Sequence, residues 1–214
     1  MTFDPKLLER LRDAKVIPVV TVADSAQAMG TANALRAGGL NLIEITLRTE
    51  GALDAIRAVK DTYPDMCVGA GTVMNADDLA DASAADADFV VTPGMTPRLL
   101  DALAKANVSA IPGAQTSSEV MTLLEAGFNV VKFFPSEACG GVETLKALSG
   151  PLAGARFVPT GGIGRAQVRG YLDIPSVLAV GGSWIAPSKS IAAEDWSAIE
   201  ANAASIAEIY QVSQ

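Results

Sequence analysis

The chain of 214 residues contains no histidine. That absence removes Ser-His-Asp triads, histidine general bases and histidine-ligated metals, and leaves acid–base work to Glu, Asp, Lys, Tyr or water. A carboxylate-held metal is not excluded by composition, but no close Asp/Glu cluster suggests one. Cysteine is scarce: Cys67 and Cys139 form neither metal-type spacing nor a disulfide framework, and read as small packing residues in a reducing cytosol. Positive charge is in deficit, with 16 Lys and Arg against 24 Asp and Glu and a net charge of −8. That balance argues against a nucleic-acid or anionic-membrane surface, so a bound anion must be held locally by backbone amides or single cations. No apolar run is long enough to span a bilayer, and Met1 to Lys15 is charged and amphipathic without an apolar signal core. There is no low-complexity segment and no Pro/Gly/Ser linker. The expectations are a cytoplasmic chain and a single domain over residues 1–214.

What is present is a regular alternation. Half of the residues are hydrophobic, enough for one substantial core. A leading helix spans Phe3 to Ala14. Apolar strands then fall at Val16–Val22, Leu40–Thr46, Met66–Ala70, Asp88–Val91, Val108–Ile111, Asn129–Pro135, Arg156–Pro159 and Ser176–Val180. Helices fill the intervals. Asp24 caps one that stops at Gly38-Gly39; Thr49 opens one ending near Tyr63-Pro64; Asn75 caps one through Ala85. Thr96 to Ala106 follows, then Thr116-Ser117-Ser118-Glu119, a capping-box pattern for a helix to Ala126. Gly141 to Leu148, Ile163 to Leu172 and Glu194 to Val212 complete the set. Strands recur roughly every 20–25 residues, as right-handed βαβ units require. The pattern predicts a single (β/α)₈ TIM barrel behind a short N-terminal helix; a doubly wound open sheet is the alternative. Two features favour the barrel. No G-x-G-x-x-G follows the first strand, and polar or Gly/Pro residues sit after almost every strand.

The sixth strand, Asn129-Val130-Val131-Lys132-Phe133-Phe134-Pro135, is apolar on both faces except for Lys132. Desolvation disfavours a charged amine, and a neutral amine is a nucleophile suited to forming a Schiff base with a carbonyl substrate. Glu44 occupies the corresponding place in Leu42-Ile43-Glu44-Ile45. Side chains alternate, so Leu42, Glu44, Thr46 and Arg48 share one side of their segment, and Val130, Lys132 and Phe134 share one side of theirs. If both polar groups point inward, a carboxylate and an amine meet; a purely structural ion pair is the bland alternative. Arg48 and Thr72 sit just beyond the second and third strands, where barrel sites form, and an arginine fork suits a carboxylate. Their plain alternatives are a surface residue and a helix cap. Thr160-Gly161-Gly162 and Gly181-Gly182-Ser183 follow the last two strands. Glycines let backbone amides approach an anion, and these loops commonly hold phosphate in barrels; two tight turns are the alternative. Phe133 and Phe134 read as core or pocket wall.

These motifs together resemble the 2-keto-3-deoxy-6-phosphogluconate (KDPG) aldolase family. The likeness is carried by Ile43-Glu44-Ile45-Thr46-Leu47-Arg48-Thr49-Glu50, Val68-Gly69-Ala70-Gly71-Thr72-Val73, Thr92-Pro93-Gly94, Ile111-Pro112-Gly113, Val131-Lys132-Phe133-Phe134-Pro135, Pro159-Thr160-Gly161-Gly162 and Gly181-Gly182-Ser183-Trp184. The resemblance implies a cytoplasmic homotrimer of barrels and a cofactor-free, metal-free class I aldolase of the Entner–Doudoroff pathway. Its reaction would cleave KDPG to pyruvate and D-glyceraldehyde 3-phosphate, with 4-hydroxy-2-oxoglutarate as a secondary substrate. By the same resemblance Lys132 matches the Schiff-base lysine and Glu44 the acid–base carboxylate. Arg48 and Thr72 match binders of the pyruvyl carboxylate, with Pro93 and Phe134 at the same site. Thr160 matches a residue near the sugar hydroxyls, and Gly161, Gly162, Gly182 and Ser183 match the phosphate site. After the fifth strand this chain has Ala114-Gln115-Thr116-Ser117, where relatives often have Ser-Thr or Thr-Pro. The rival readings are an aldolase for the galactonate epimer, a sugar-phosphate isomerase or epimerase using Glu44 without a covalent intermediate, and a non-catalytic binding barrel.

Overall fold

The structure, a computed structural model, describes residues 3–211. In chain order the elements are α1 (Pro5–Ala14), β1 (Val16–Val20), α2 (Ser25–Ala37), β2 (Leu42–Thr46), α3 (Ala52–Thr62), β3 (Cys67–Gly71) and α4 (Ala76–Ala84). Then come β4 (Phe89–Val91), α5 (Pro97–Lys105), β5 (Ser109–Ile111), β6 (Gly113–Ala114), α6 (Ser117–Glu125) and β7 (Val130–Phe133). A 3₁₀ turn at Glu137–Cys139 precedes α7 (Gly141–Ser149), β8 (Arg156–Pro159), α8 (Val168–Leu172), β9 (Val180–Gly182), α9 (Ser188–Ala192), α10 (Trp196–Ala204) and α11 (Glu208–Gln211). Among these, every strand pairing is parallel. One sheet has the order β5-β4-β3-β2-β1-β9 and a second the order β6-β7-β8.

The predicted fifth strand, Val108–Ile111, appears as β5, and past Pro112 the structure adds β6, which the sequence pattern does not show. Pro112 has no N–H to give to a ladder, so β5 pairs with β4 on one side of it and β6 pairs with β7 on the other. The Pro112 carbonyl still accepts from Lys132 N at 2.9 Å. The predicted strand Ser176–Val180 is displaced: its ladder runs over Val180–Gly182, and Val177 contributes a single bridge to Phe157. The helix expected over Ile163–Leu172 is confined to Val168–Leu172, because Gly161 and Gly162 take φ of 102° and 80° and the chain needs several residues to recover. The closing helix is interrupted at residues 205–207, and the predicted end at Val212 lies outside the described residues. α9 was not foreseen.

Alternation sorts the strand side chains into two cores. Ile43, Ile45, Val68, Val131, Phe133 and Phe157 face the helices, where they meet Leu35, Ile56, Leu123 and Leu145. Their neighbours on the opposite face, Ile17, Leu42, Cys67, Phe89, Val91, Ile111, Val130 and Val158, pack with Leu7 and Leu11 of α1. Leu42, Cys67, Phe89 and Val130 are the first residues of their strands, so α1 seals the N-terminal ends. The helix is fixed there by its cap, with Lys6 N donating to Asp4 Oδ1 at 2.9 Å, and by Arg10 Nη1 donating to the Asp65 carbonyl at 2.8 Å. The opposite, C-terminal ends of the same strands carry the polar residues.

Candidate active site

Glu44 lies in the middle of β2 and is 2 % exposed; Lys132, the third residue of β7, is 6 % exposed. Both follow an inward apolar residue by two positions, Leu42 and Val130, and so point to the same enclosed interior. Burial raises the Glu44 carboxyl above its ordinary range; the opposite charges of Lys132 and, less strongly, Arg48 pull it back without cancelling the rise. Glu44 Oε1 and Trp184 Nε1 are, among the described residues, the buried side-chain polar atoms without a hydrogen-bond partner. An unsatisfied carboxylate oxygen costs stability, so a site that keeps one keeps it for something other than folding.

The sheet makes room for this carboxylate. Gly71 pairs with Thr46 on the neighbouring strand, and a Cβ there would overlap Glu44 Oε1. Two residues earlier, Gly69 makes the same room for the Phe89 ring, which closes the interior just below. Sequence reading took Gly69 and Gly71 only as motif residues; two inward positions of one strand both lacking a side chain were the available signal.

The other predicted residues gather around this pair. Arg48 is exposed, and its Nε donates to Thr72 Oγ1 at 3.2 Å. Thr72 holds φ at 61°, a region that a β-branched residue adopts only under strain, and strain of this kind concentrates at functional sites. Pro93 is brought in through Gly113: a Cβ on Gly113 would stand 2.5 Å from the Pro93 carbonyl carbon, and Gly113 is the register partner of Lys132. Thr92 fixes that corner, accepting from Gly113 N at 2.9 Å and donating to the Gly94 carbonyl at 2.7 Å. The Phe134 ring centroid lies 4.9 Å from Lys132 Nζ, and the same ring packs against Gly161.

The two glycine turns are neighbours. Thr160 bridges to Gly181, and a Cβ on Gly181 would overlap Thr160 Oγ1. Gly161 and Gly162 both have positive φ, a conformation that glycine adopts without strain. At Gly182 a Cβ would stand 2.8 Å from Trp184 Nε1; Ser183, the next residue, is exposed at the outer rim. The sequence gives no role at this face to three threonines, Thr21, Thr46 and Thr92. Thr21 and Thr46 pair their hydroxyls at 2.7 Å where β1 and β2 end, and the buried Thr92 does the work just described. The Gln115 loop is held by the predicted capping box between Thr116 and Glu119, and Gln115 Nε2 donates to Cys139 Sγ.

The comparisons with known proteins agree with this geometry. The family model described as KDPG and KHG aldolase matches residues 7–202. The chain belongs to the KDPG and KHG aldolase family. A curated relative, the 2-dehydro-3-deoxy-phosphogluconate aldolase of Pseudoalteromonas atlantica, is 47 % identical over 184 residues, covering 86 % of this chain and 86 % of the relative. The KHG/KDPG aldolase of Escherichia coli is 46 % identical over 189 residues, covering 88 % of this chain and 89 % of its own. Among solved structures, the KDPG aldolase of Legionella pneumophila superposes with a TM-score of 0.90 at 40 % identity, covering 93 % of this chain and 97 % of that one. That crystal holds pyruvate captured at low pH as a covalent carbinolamine intermediate. Family membership favours aldol chemistry over the isomerase and binding-barrel readings.

Proposed function

We propose that this chain is a class I aldolase that cleaves KDPG to pyruvate and D-glyceraldehyde 3-phosphate, and that also cleaves 4-hydroxy-2-oxoglutarate. The observation that carries the reading is the buried Glu44–Lys132 pair, with its carboxyl raised and one carboxylate oxygen free of any hydrogen bond. The carbinolamine in the Legionella relative is the adduct such an amine forms with pyruvate.

In the proposed sequence the Lys132 amine attacks the C2 ketone to give a carbinolamine. Glu44, whose carboxyl burial raises above its ordinary range, acts as the acid that protonates the departing hydroxyl, and water leaves a protonated imine. Glu44, now a carboxylate, takes the C4 hydroxyl proton. The C3–C4 bond breaks, its electrons flow into the imine, and glyceraldehyde 3-phosphate departs. Glu44 gives the proton it took to C3 of the enamine, and water hydrolyses the resulting imine to pyruvate and the free amine. The electron sink is the protonated imine formed on the chain's own lysine, so the sequence needs no cofactor. Arg48, steadied by Thr72, offers a planar fork to the pyruvyl carboxylate. Pro93 and Phe134 wall the imine. Thr160 faces the sugar hydroxyls, and Gly161, Gly162, Gly182 and Ser183 receive the phosphate.

The same proposal extends to architecture. A single domain forming a closed eight-stranded barrel is supported by β5 and β6 being one strand interrupted at Pro112, by the bridge from Thr160, just past β8, to Gly181 of β9, and by the bridge from Phe157 of β8 to Val177 ahead of β9. A cytoplasmic homotrimer is carried over from the resemblance. Among the described residues no helix is long and apolar enough to cross a membrane.

The test is pyruvate release from KDPG by the wild-type chain and by Lys132→Ala. The variant loses turnover by at least about 10⁴-fold, as expected when a covalent nucleophile is removed. Substantial residual cleavage would sink the mechanism.

A further inference from the structure

Behind the glycine turn that follows β8 lies a buried polar cluster that the proposed chemistry does not use. Tyr171, on α8, is 0 % exposed. Its hydroxyl donates to Glu137 Oε1 and accepts from Ser136 Oγ at 2.9 Å. Ser136 is itself fully buried. Burial first, then the Glu137 carboxylate, push the Tyr171 phenol up to about 12, so it remains a proton donor across the working pH range.

This cluster is tied by backbone to the loop expected to receive phosphate. Ser136 N donates to the Thr160 carbonyl at 2.8 Å, and Glu137 N donates to the Gly161 carbonyl at 3.0 Å. A Cβ on Gly162 would stand 2.9 Å from Glu137 Cβ, and one on Gly141 would stand 3.3 Å from both Glu137 Oε1 and Tyr171 Oη. The turn after β7 and the Thr160-Gly161-Gly162 loop are therefore packed as one unit, with Tyr171 as its anchor to α8. A loop of two positive-φ glycines has no side chains to fix its own shape; the shape must be imposed from behind.

We propose that Tyr171 is a positioning residue for anion binding: through Glu137 and Ser136 it locks the turn after β7 against the Thr160–Gly162 loop and sets that loop's amides for the substrate phosphate. The inference rests on the phosphate reading of this loop. Its consequence is selective. Removing the hydroxyl leaves the Ser136 donor and the Glu137 carboxylate without their shared partner, and the loop loosens. Lys132 and Glu44 are untouched, so substrates without phosphate do not feel the change.

The experiment compares KDPG with 4-hydroxy-2-oxoglutarate, and uses inorganic phosphate as a competing anion, in wild type, Tyr171→Phe, Glu137→Ala and Glu137→Gln. Tyr171→Phe and Glu137→Ala raise KM for KDPG and weaken phosphate inhibition by about tenfold, while kcat on either substrate and KM for 4-hydroxy-2-oxoglutarate stay within about twofold. Glu137→Gln keeps an acceptor for the phenol and retains wild-type selectivity. Equal losses on both substrates, or no loss on either, overturn the inference. If Tyr171→Phe does not fold, the contrast between Glu137→Ala and Glu137→Gln decides it. A wild-type chain that neither prefers KDPG nor is inhibited by phosphate sinks the phosphate reading itself, and the inference with it.

Discussion

The two ends of the strand interior are built to opposite rules. At the N-terminal end Leu7 and Leu11 of α1 close over Ile17, Leu42, Cys67 and Val130, and the polar groups of α1 are met by its cap and by Arg10. At the C-terminal end, one or two inward positions further along, stand Glu44 and Thr46 on β2, Lys132 on β7 and, just past β8, Thr160, all buried, with an unsatisfied carboxylate oxygen and a strained Thr72 nearby. The first end stabilises by dry packing; the second gives up some of that stability to hold reactive groups out of water. Substitutions at the two ends should therefore separate activity from stability in opposite directions.

The largest effect after loss of Lys132 is expected from Glu44→Gln, which lowers the turnover rate by about 10²–10⁴-fold through lost proton transfer. The same change alters the pH dependence of stability. Because burial raises the folded carboxyl above its unfolded value, its contribution to stability is complete below the ordinary carboxylate range and is lost as pH rises through the raised value. A neutral glutamine escapes that loss. The urea midpoint of Glu44→Gln should match wild type at acid pH and exceed it increasingly toward neutrality; a difference that shrinks with rising pH would contradict the assigned shift.

At the sealed end, Leu11→Ala should cost about 2–5 kcal/mol of stability by urea unfolding, since Leu11 is fully buried, while kcat per folded molecule holds. A fall in kcat would mean that the two ends are coupled. Gly71→Ala tests the boundary between them. Its new methyl occupies the place of Glu44 Oε1, so kcat should drop roughly tenfold or more from displacement of a proton-transfer group, with little loss of secondary structure by circular dichroism. The smallest effect is chemical. Burial pushes the Cys67 thiol up to about 12, whereas Cys139, in the 3₁₀ turn after β7, is partly exposed. Maleimide at neutral pH should label Cys139 and spare Cys67 in the native chain; labelling of Cys67 would show that the sealed end opens.

How much of this could be read in advance depended on range. A lone lysine among Val130, Val131 and Phe133 and a lone glutamate among Leu42, Ile43 and Ile45 are local anomalies, and strict alternation then gives their facing. Caps at Asp24, Asn75 and Thr116 were legible for the same reason. The split at Pro112 was not, because it depends on which strand lies on each side. Nor was the clearance that Gly71 provides for Glu44, or the anchoring of Glu137 by Tyr171, 34 residues away. The positive φ of Thr72 has no signature in its own side chain. It is held by its neighbours, as strained residues are.

The measurement that bears most directly on the central claim is borohydride reduction of the chain in the presence of pyruvate, followed by peptide mass spectrometry. A reduced pyruvyl adduct on Lys132, absent from other lysines and absent without pyruvate, is the predicted result. Folded, active protein that yields no adduct on Lys132 would contradict the account and return the site to a non-covalent chemistry led by Glu44.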